Sequence, residues 1–321
     1  MLTGFALVIA ASLFQGSFIL PMTLVRKWRW EQTWLTFSLM GMLALNWLLG
    51  LLLVPDLIPT LASAPMSRAA LLGLFGAGWG LGAVLFGLAM DRMGMSLGYP
   101  IIMGLIASLG ALIPLVALHP ANLFAGKGIA LLLGTGLVVL GIALCSLSGA
   151  RRQGTARSGF DAGGLLMAVL AGVLSCLPNV GVAFAGDLPS NAVWVLLFTT
   201  GGLVNCLYCA WLIFSRRPGP RYFGPDTSRN LRLAAVMAGL WIGSFYLYGA
   251  ASSRLGSWGV VVGWPLFIAL SIMAGVGWGL HKGEWAEAPD GARRLRNAGL
   301  MVLLLAVTVI AGSSFLPGGA E

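Results

Sequence analysis

Ten stretches of about twenty apolar residues decide what this chain can fold into, because each is long enough for a helix to cross a hydrocarbon core of ~30 Å. They run approximately over 3–24, 33–54, 69–90, 96–118, 127–147, 163–185, 191–214, 231–252, 257–280 and 297–316, and none has an acidic residue near its centre. Charge then orders them. With the connecting loops numbered alternately, the odd loops hold Arg26, Lys27, Arg29, Arg92, Arg151, Arg152, Arg157, Arg216, Arg217, Arg221, Arg229, Arg232, Lys282, Arg293, Arg294 and Arg296, which is 16 of the 19 basic residues. The even loops hold only Arg68, Lys127 and Arg254. Basic loops resist translocation, so the odd side is expected to be cytoplasmic. A wrong number of spans would scramble this bias. The expected fold is therefore all-α and integral to the membrane, with ten transmembrane helices and both termini on the outer, periplasmic side.

Composition excludes the main alternatives. Hydrophobic residues make up 58% of the chain and charged residues 9%, against ~25% charged in soluble domains. The net charge of +9 sits in loops beside anionic lipid, where it sets orientation. It is not interleaved with stacking aromatics, so no nucleic acid is expected as a partner. Cys145, Cys176, Cys206 and Cys209 all fall in apolar segments. The Cys206/Cys209 spacing is one turn of a helix, and a zinc site needs about four ligands. His119 and His281 sit at segment ends. No metal and no cofactor are expected. The first segment lacks a basic leader and a small-residue cleavage site, and is read as a retained helix.

The second half echoes the first. Trp79, Gly87, Ala89, Arg92 and Gly94 recur as Trp241, Gly249, Ala251, Arg254 and Gly256, all at one offset of 162. Trp34/Trp194 and Gly41/Gly201 share an offset of 160, and Gly4/Gly164 and Ser12/Gly172 align the first and sixth segments. Five helices per half is an odd number, so two homologous halves must sit with opposite topology. The expected division is 1–150 for the first five-helix repeat, 151–162 for a cytoplasmic linker and 163–321 for the second repeat. Inverted repeats are a common build of secondary transporters, with the substrate site near midplane between them. Glycine, 46 residues in all, runs densely through the third and fourth segments and suits close helix packing.

The candidates for chemistry are uncharged. No GxSxG, HExxH or acidic cluster is present, which leaves an intramembrane enzyme without its nucleophile, base or metal. Gln15 lies in the first segment, and Ser175, Pro178 and Asn179 lie at loosely corresponding places in the sixth. Pro178 removes a backbone hydrogen bond and can free a carbonyl. Trp79, Trp241, Tyr246, Tyr248 and Trp264 add flat faces. Amides and hydroxyls facing aromatic rings suit a neutral, sugar-sized ligand, whereas no central basic residue is available for a phosphate. The competing reading is that these aromatics simply pack between helices. Asn46 and Asn205 read as interhelical hydrogen-bond groups. Glu31, Asp91 and Asp187 lie near segment ends, where a solvated interfacial charge is the ordinary reading, and Asp91–Arg92 reads as a neutralising neighbour pair.

Three stretches carry a family resemblance. Val25-Arg26-Lys27-Trp28-Arg29-Trp30-Glu31-Gln32-Thr33-Trp34 follows the first segment. Leu74-Phe75-Gly76-Ala77-Gly78-Trp79-Gly80-Leu81-Gly82, Gly87-Leu88-Ala89-Met90 and Gly94-Met95-Ser96-Leu97-Gly98 form the second. Gly239-Leu240-Trp241, Tyr248, Arg254, Trp264 and Lys282-Gly283-Glu284-Trp285 form the third. In order and spacing the chain resembles the bacterial L-rhamnose–proton symporters, within the drug/metabolite transporter superfamily. The resemblance implies ten helices, outside termini, residence in the bacterial inner membrane and proton-driven uptake of a deoxy-sugar. It also implies a pocket shifted toward apolar lining. Ala83 and Leu85 stand where the rhamnose carriers tend to have asparagines, and Phe86 replaces a tyrosine. Ser244 fills a glutamine position, and Gln15 fills a position that is usually small.

The reading of the sequence is thus a secondary transporter that takes up a neutral sugar such as L-rhamnose by alternating access, with protons as the expected coupling ion and no covalent chemistry. Gln15, Trp79, Ser175, Asn179, Ser244, Tyr248 and Trp264 are the expected ligand contacts, and Glu31 and Asp187 the expected proton-coupling candidates. A carrier of another neutral metabolite and a non-transporting membrane scaffold are the alternatives.

Overall fold

Proline and glycine decide where these apolar segments run straight and where they break. The computed structural model describes residues 2–118, 120–153, 161–186, 188–215, 222–255, 264–312 and 316. In chain order its α-helices are α1 (Leu2–Ser17), α2 (Trp30–Phe37), α3 (Asn46–Leu53), α4 (Leu57–Ala62), α5 (Met66–Met93), α6 (Met95–Leu118), α7 (Gly126–Gln153), α8 (Ala162–Ser175), α9 (Leu177–Ala183), α10 (Ser190–Ser215), α11 (Thr227–Leu255), α12 (Trp264–His281) and α13 (Asp290–Gly312). No strand occurs among the described residues. Among the described residues, seven stretches are long and apolar enough to cross a membrane: Leu2–Leu24, Trp30–Leu53, Met66–Met93, Gly128–Gly149, Ala162–Val182, Asn191–Ser215 and Thr227–Ala251. Large apolar side chains such as Leu52, Leu133, Leu207, Phe214 and Met301 point outward. Only a lipid environment makes that arrangement favourable, since water would penalise it.

Among the described residues, three of the crossings are irregular. α1 gives way at Phe18 and Ile19 to a 3₁₀ turn over Leu20–Leu24 that carries Pro21 in its first positions. α8 stops at Ser175, and α9 restarts at Leu177 with Pro178 at its beginning. A proline at the start of a helix loses nothing, whereas inside one it removes a bond. Between α2 and α3 the chain widens into a π-helix over Ser38–Leu45, a feature often found where function requires an irregular turn.

Packing interleaves the two halves of the chain. α1 lies along α11 and α12, while α8 lies along α5 and α6. α10 packs on α5, and the α2–α3 segment packs on α11 and α10. α7 and α13 run together. The α5–α10 contact brings backbone against backbone. A methyl on Gly80 would stand 2.6 Å from the Gly201 carbonyl oxygen, and one on Gly76 would stand 2.4 Å from that of Leu197. Two residues four apart on α5 thus clear a path for α10, as small-xxx-small pairs do in membranes. Polar side chains fasten the same contact. Asn205 donates to the Gly80 carbonyl at 2.9 Å and to the Gly201 carbonyl at 2.8 Å, and accepts from Trp34 Nε1 at 2.6 Å. Asn46 donates to the Val195 carbonyl at 3.3 Å. Both asparagines join helices as their sequence positions suggest.

At the end of the bundle that carries Arg26 to Arg29, the α1–α2 connection is clasped to the segment before α11. Asn230 donates to the Arg26 carbonyl at 2.8 Å and accepts from the Arg26 amide at 3.3 Å. Trp28 Nε1 donates to the Tyr222 carbonyl at 3.2 Å, and the two rings meet edge to face. Lys27 adopts the left-handed backbone region, with φ 61°, and its ammonium reaches Asp226 at 3.2 Å. Arg92 does not pair with its neighbour Asp91 as expected. Its guanidinium turns to Asp161 at 3.6 Å, because Asp161 caps α8 immediately opposite the end of α5.

Gly80→Val is expected to abolish the monodisperse folded protein in detergent, read by size exclusion. Gly239→Ala, whose new methyl meets nothing within 4 Å, is expected to leave it intact. Asn205→Ala strands the Trp34 N–H and two carbonyl partners, and is expected to destabilise by about 1–3 kcal/mol, measured by thermal unfolding.

Candidate functional site

The two broken crossings meet at a cavity. α1 ends within a turn of Gln15, so the Gln15 carbonyl would lack a helical partner there. The Tyr99 hydroxyl of α6 donates to it at 2.9 Å. The Gln15 side chain turns to α11, where Ser244 Oγ lies 2.7 Å from its amide. On the other side, Ser175 and Asn179 flank the α8–α9 break. Gly82 of α5 leaves room for Ser175, whose Oγ lies 3.0 Å from where a methyl would be, and Gly110 of α6 does the same for Asn179. Glycine therefore sets not only how closely the helices approach but also which polar groups reach the interior.

Among the described residues, Gln15, Ser175 and Asn179 are the polar side chains of the lining, and every lining group is neutral. The rest is carbon-rich: Phe18, Trp34, Phe37, Met42, Trp79, Ala83, Phe86, Met103, Ile106, Pro178, Trp194, Trp241, Phe245, Phe267 and Ile268. The space between these atoms, counted together with the part that opens to the surroundings, amounts to about 720 Å³. Trp79 and Trp241 stack with centroids 5.7 Å apart and planes 21° apart. Phe198 backs them both at 4.9 Å. Trp34 and Phe37 continue the aromatic wall at 5.1 Å, and Phe37 meets Trp241 edge to face at 5.7 Å. Such a cavity offers hydrogen bonds from α1 and the α8–α9 break, and flat hydrocarbon faces from the aromatic helices. A ligand with hydroxyls on one edge and C–H bonds on its face matches both.

Four of the expected contacts, Gln15, Trp79, Ser175 and Asn179, come together in this lining. Ser244 stands behind Gln15, fully buried and bonded to it. Tyr248, one turn further along α11, stacks at 5.2 Å on Phe267, which is itself part of the lining. Trp264 opens α12, and its side chain lies outside the described residues, as does Asp187. Glu31 departs from the solvated charge expected of it. α2 begins at Trp30, which turns Glu31 inward in its first turn, and it is 2% exposed. The favourable field of a helix N-terminus suits a carboxylate there. Burial first, and then the neighbouring Cys209 and Glu31, push the Tyr222 phenol up to about 12.

Trp34, Trp194 and Trp241 were not among the expected contacts. Their signal lay in the internal repeat, since Trp34/Trp194 and Trp79/Trp241 are its two tryptophan pairs and all four rings line the cavity.

Comparison with known proteins identifies the family. The L-rhamnose–proton symporter of Yersinia pestis (strain Pestoides F) is 26% identical, covering 91% of this chain and 92% of its own length. The symporter of the same name from Cronobacter sakazakii is also 26% identical, over 91% of this chain and 92% of its own. Residues 2–215 match the family described as L-rhamnose-proton symport protein. With two thirds of its length in that match and nearly all of it aligned to those relatives, the chain belongs to the L-rhamnose-proton symport protein family.

Proposed function

We propose that this protein is a proton-driven carrier that takes up a small neutral sugar, L-rhamnose first among them, across the bacterial inner membrane by alternating access. The observation that carries the reading is the cavity itself. Two broken helices bring an amide, a hydroxyl and a second amide to one side of it, and aromatic and aliphatic side chains supply the rest, with no charge among the described lining residues. Discontinuous helices at the meeting of two repeats are a recurring way to build such a site. The names of the relatives point to the same substrate and ion.

The proposed topology has ten spans and both termini outside. α6, α12 and α13, with 24, 18 and 23 residues, complete the seven stretches already long and apolar enough to cross. An inverted repeat with the divisions 1–150, 151–162 and 163–321 is supported by the packing. The α1–α11 contact and the α8–α5 contact exchange under the repeat, and α7 pairs with its counterpart α13. Trp79 stacks on its own repeat equivalent, Trp241, as two symmetry mates do beside a twofold axis. On this topology the clasp of Arg26 and Lys27 to Asn230 and Asp226 closes the cytoplasmic side, and release inward requires it to part.

Glu31 is the leading proton site, since it is the one buried carboxylate among the described residues. Asp187 stays the second candidate. The ligand contacts are Gln15, Trp79, Ser175 and Asn179, with Ser244, Tyr248 and Trp264 supporting them.

In proteoliposomes, an inward proton gradient is expected to stimulate uptake of labelled L-rhamnose. Uptake that ignores the gradient would sink the symport assignment, and no uptake by folded protein would remove the sugar. Trp79→Leu is expected to lower uptake at least ten-fold in protein that still elutes as a folded monodisperse species. Glu31→Gln is expected to lose the gradient response while keeping sugar counterflow. For topology, Ser63→Cys in a cysteine-free background is expected to react with an impermeant maleimide from outside intact spheroplasts, and Glu287→Cys only after permeabilisation.

A further inference from the structure

The hydroxyl of Ser244 lies 2.6 Å from the Trp241 carbonyl and 2.7 Å from the side-chain amide of Gln15. It is fully buried, so water does not share the load. A hydroxyl has one proton, and a backbone carbonyl can only accept. Two oxygens at 2.6 Å need a proton between them, and serine commonly gives its proton back to a carbonyl of the preceding turn. Ser244 therefore spends its proton on Trp241 and offers Gln15 only lone pairs. With Oε1 against Ser244, three oxygens would share one proton. With the amide turned about, its NH₂ donates to Ser244 and every group is matched. The two ends of an amide have the same shape, and the hydrogen-bond network decides between them.

We infer that Ser244 fixes the Gln15 amide with its carbonyl oxygen toward the cavity, and that this oxygen is a specificity determinant which accepts a hydrogen bond from one hydroxyl of the substrate. The inference rests on the cavity being the sugar site. Its backbone is held as firmly as its side chain, because Tyr99 pins the Gln15 carbonyl at the end of α1. A preorganised acceptor discriminates sharply, since a ligand group that cannot donate leaves it desolvated and unpaired. Groups that only accept, such as an ether, a carbonyl or fluorine, are disfavoured at that position. The substrate class is thus a neutral sugar that is free, not alkylated, at one particular hydroxyl.

The test is competition against labelled L-rhamnose uptake in proteoliposomes, using each monodeoxy and each monofluoro analogue of the sugar. Fluorine accepts weakly and cannot donate. At one ring position the deoxy and fluoro analogues are both expected to bind about ten-fold or more weakly than the parent. Gln15→Met, similar in length and unable to pair with the hydroxyl, is expected to erase that difference while the penalties at other positions persist. Ser244→Ala is expected to shrink it, and the double variant to match Gln15→Met. Each variant is first checked for monodispersity and unchanged Tm. A position at which fluorine is tolerated and the deoxy compound is not, with the effect depending on Gln15, would show the NH₂ facing the sugar and overturn the orientation. The absence of any position sensitive to Gln15 would overturn the role. Should the wild type ignore L-rhamnose yet be quenched in tryptophan fluorescence by another neutral monosaccharide, the proposed substrate fails and the same series on that sugar decides the orientation. If folded protein binds no neutral monosaccharide, both readings fall together.

Discussion

Interrupting a helix inside hydrocarbon exposes peptide groups that lipid cannot satisfy, at several kcal/mol for each group left bare. Everything distinctive about this molecule follows from how it meets that demand at two places. The end of α1 is tolerated because Tyr99 reaches over from α6 to the Gln15 carbonyl. The α8–α9 break is tolerated because Pro178 starts the new helix, where its missing N–H costs nothing, and because the Cys176 thiol turns back to the Val173 carbonyl at 3.0 Å. Once the breaks stand, the side chains beside them, Gln15, Ser175 and Asn179, are aimed inward together. The polar side of the cavity is thus a by-product of solving a backbone problem.

Much of the helical architecture was legible because length and hydropathy are enough to specify an apolar helix. The breaks were only half legible. Pro178 is read as marking one. Pro21 marks the other and is passed over: it has no N–H for the Ser17 carbonyl, and α1 gives way at Phe18 and Ile19 just ahead of it. The cavity was readable where polarity is anomalous for its surroundings, as at Gln15, Ser175 and Asn179. At Trp34 and Trp194 it showed only through the internal repeat, since a tryptophan that faces a ligand and one that faces a helix look alike in a sequence. Glu31 misled because a residue at the head of a helix can turn outward or inward, and which it does depends on α10 and the Tyr222 segment. Gln15 and Ser244, each a departure from the resembled family when taken alone, prove to be two ends of one hydrogen bond.

The cavity separates its two kinds of interaction. Hydrogen bonding comes from the helices that are broken, whereas the stacked Trp79 and Trp241 sit on α5 and α11, which run without interruption for 28 and 29 residues. Directional contacts thus belong to irregular backbone that can adjust, and contact area belongs to regular backbone that cannot. Motion at the breaks would change which hydroxyls are met while leaving the aromatic faces where they are.

At the clasp, Asn230 binds the peptide of Arg26, both its N–H and its carbonyl, and leaves the Arg26 side chain unread. A grip on the main chain is blind to the identity of the residue it holds. Position 26 is thereby free to drift among side chains that keep the local charge, without loosening the closure. Position 230 has no such latitude, because only a short side chain carrying both a donor and an acceptor can hold the two ends of one residue at once. Evolutionary freedom and mechanical duty are thus divided unequally across a single contact.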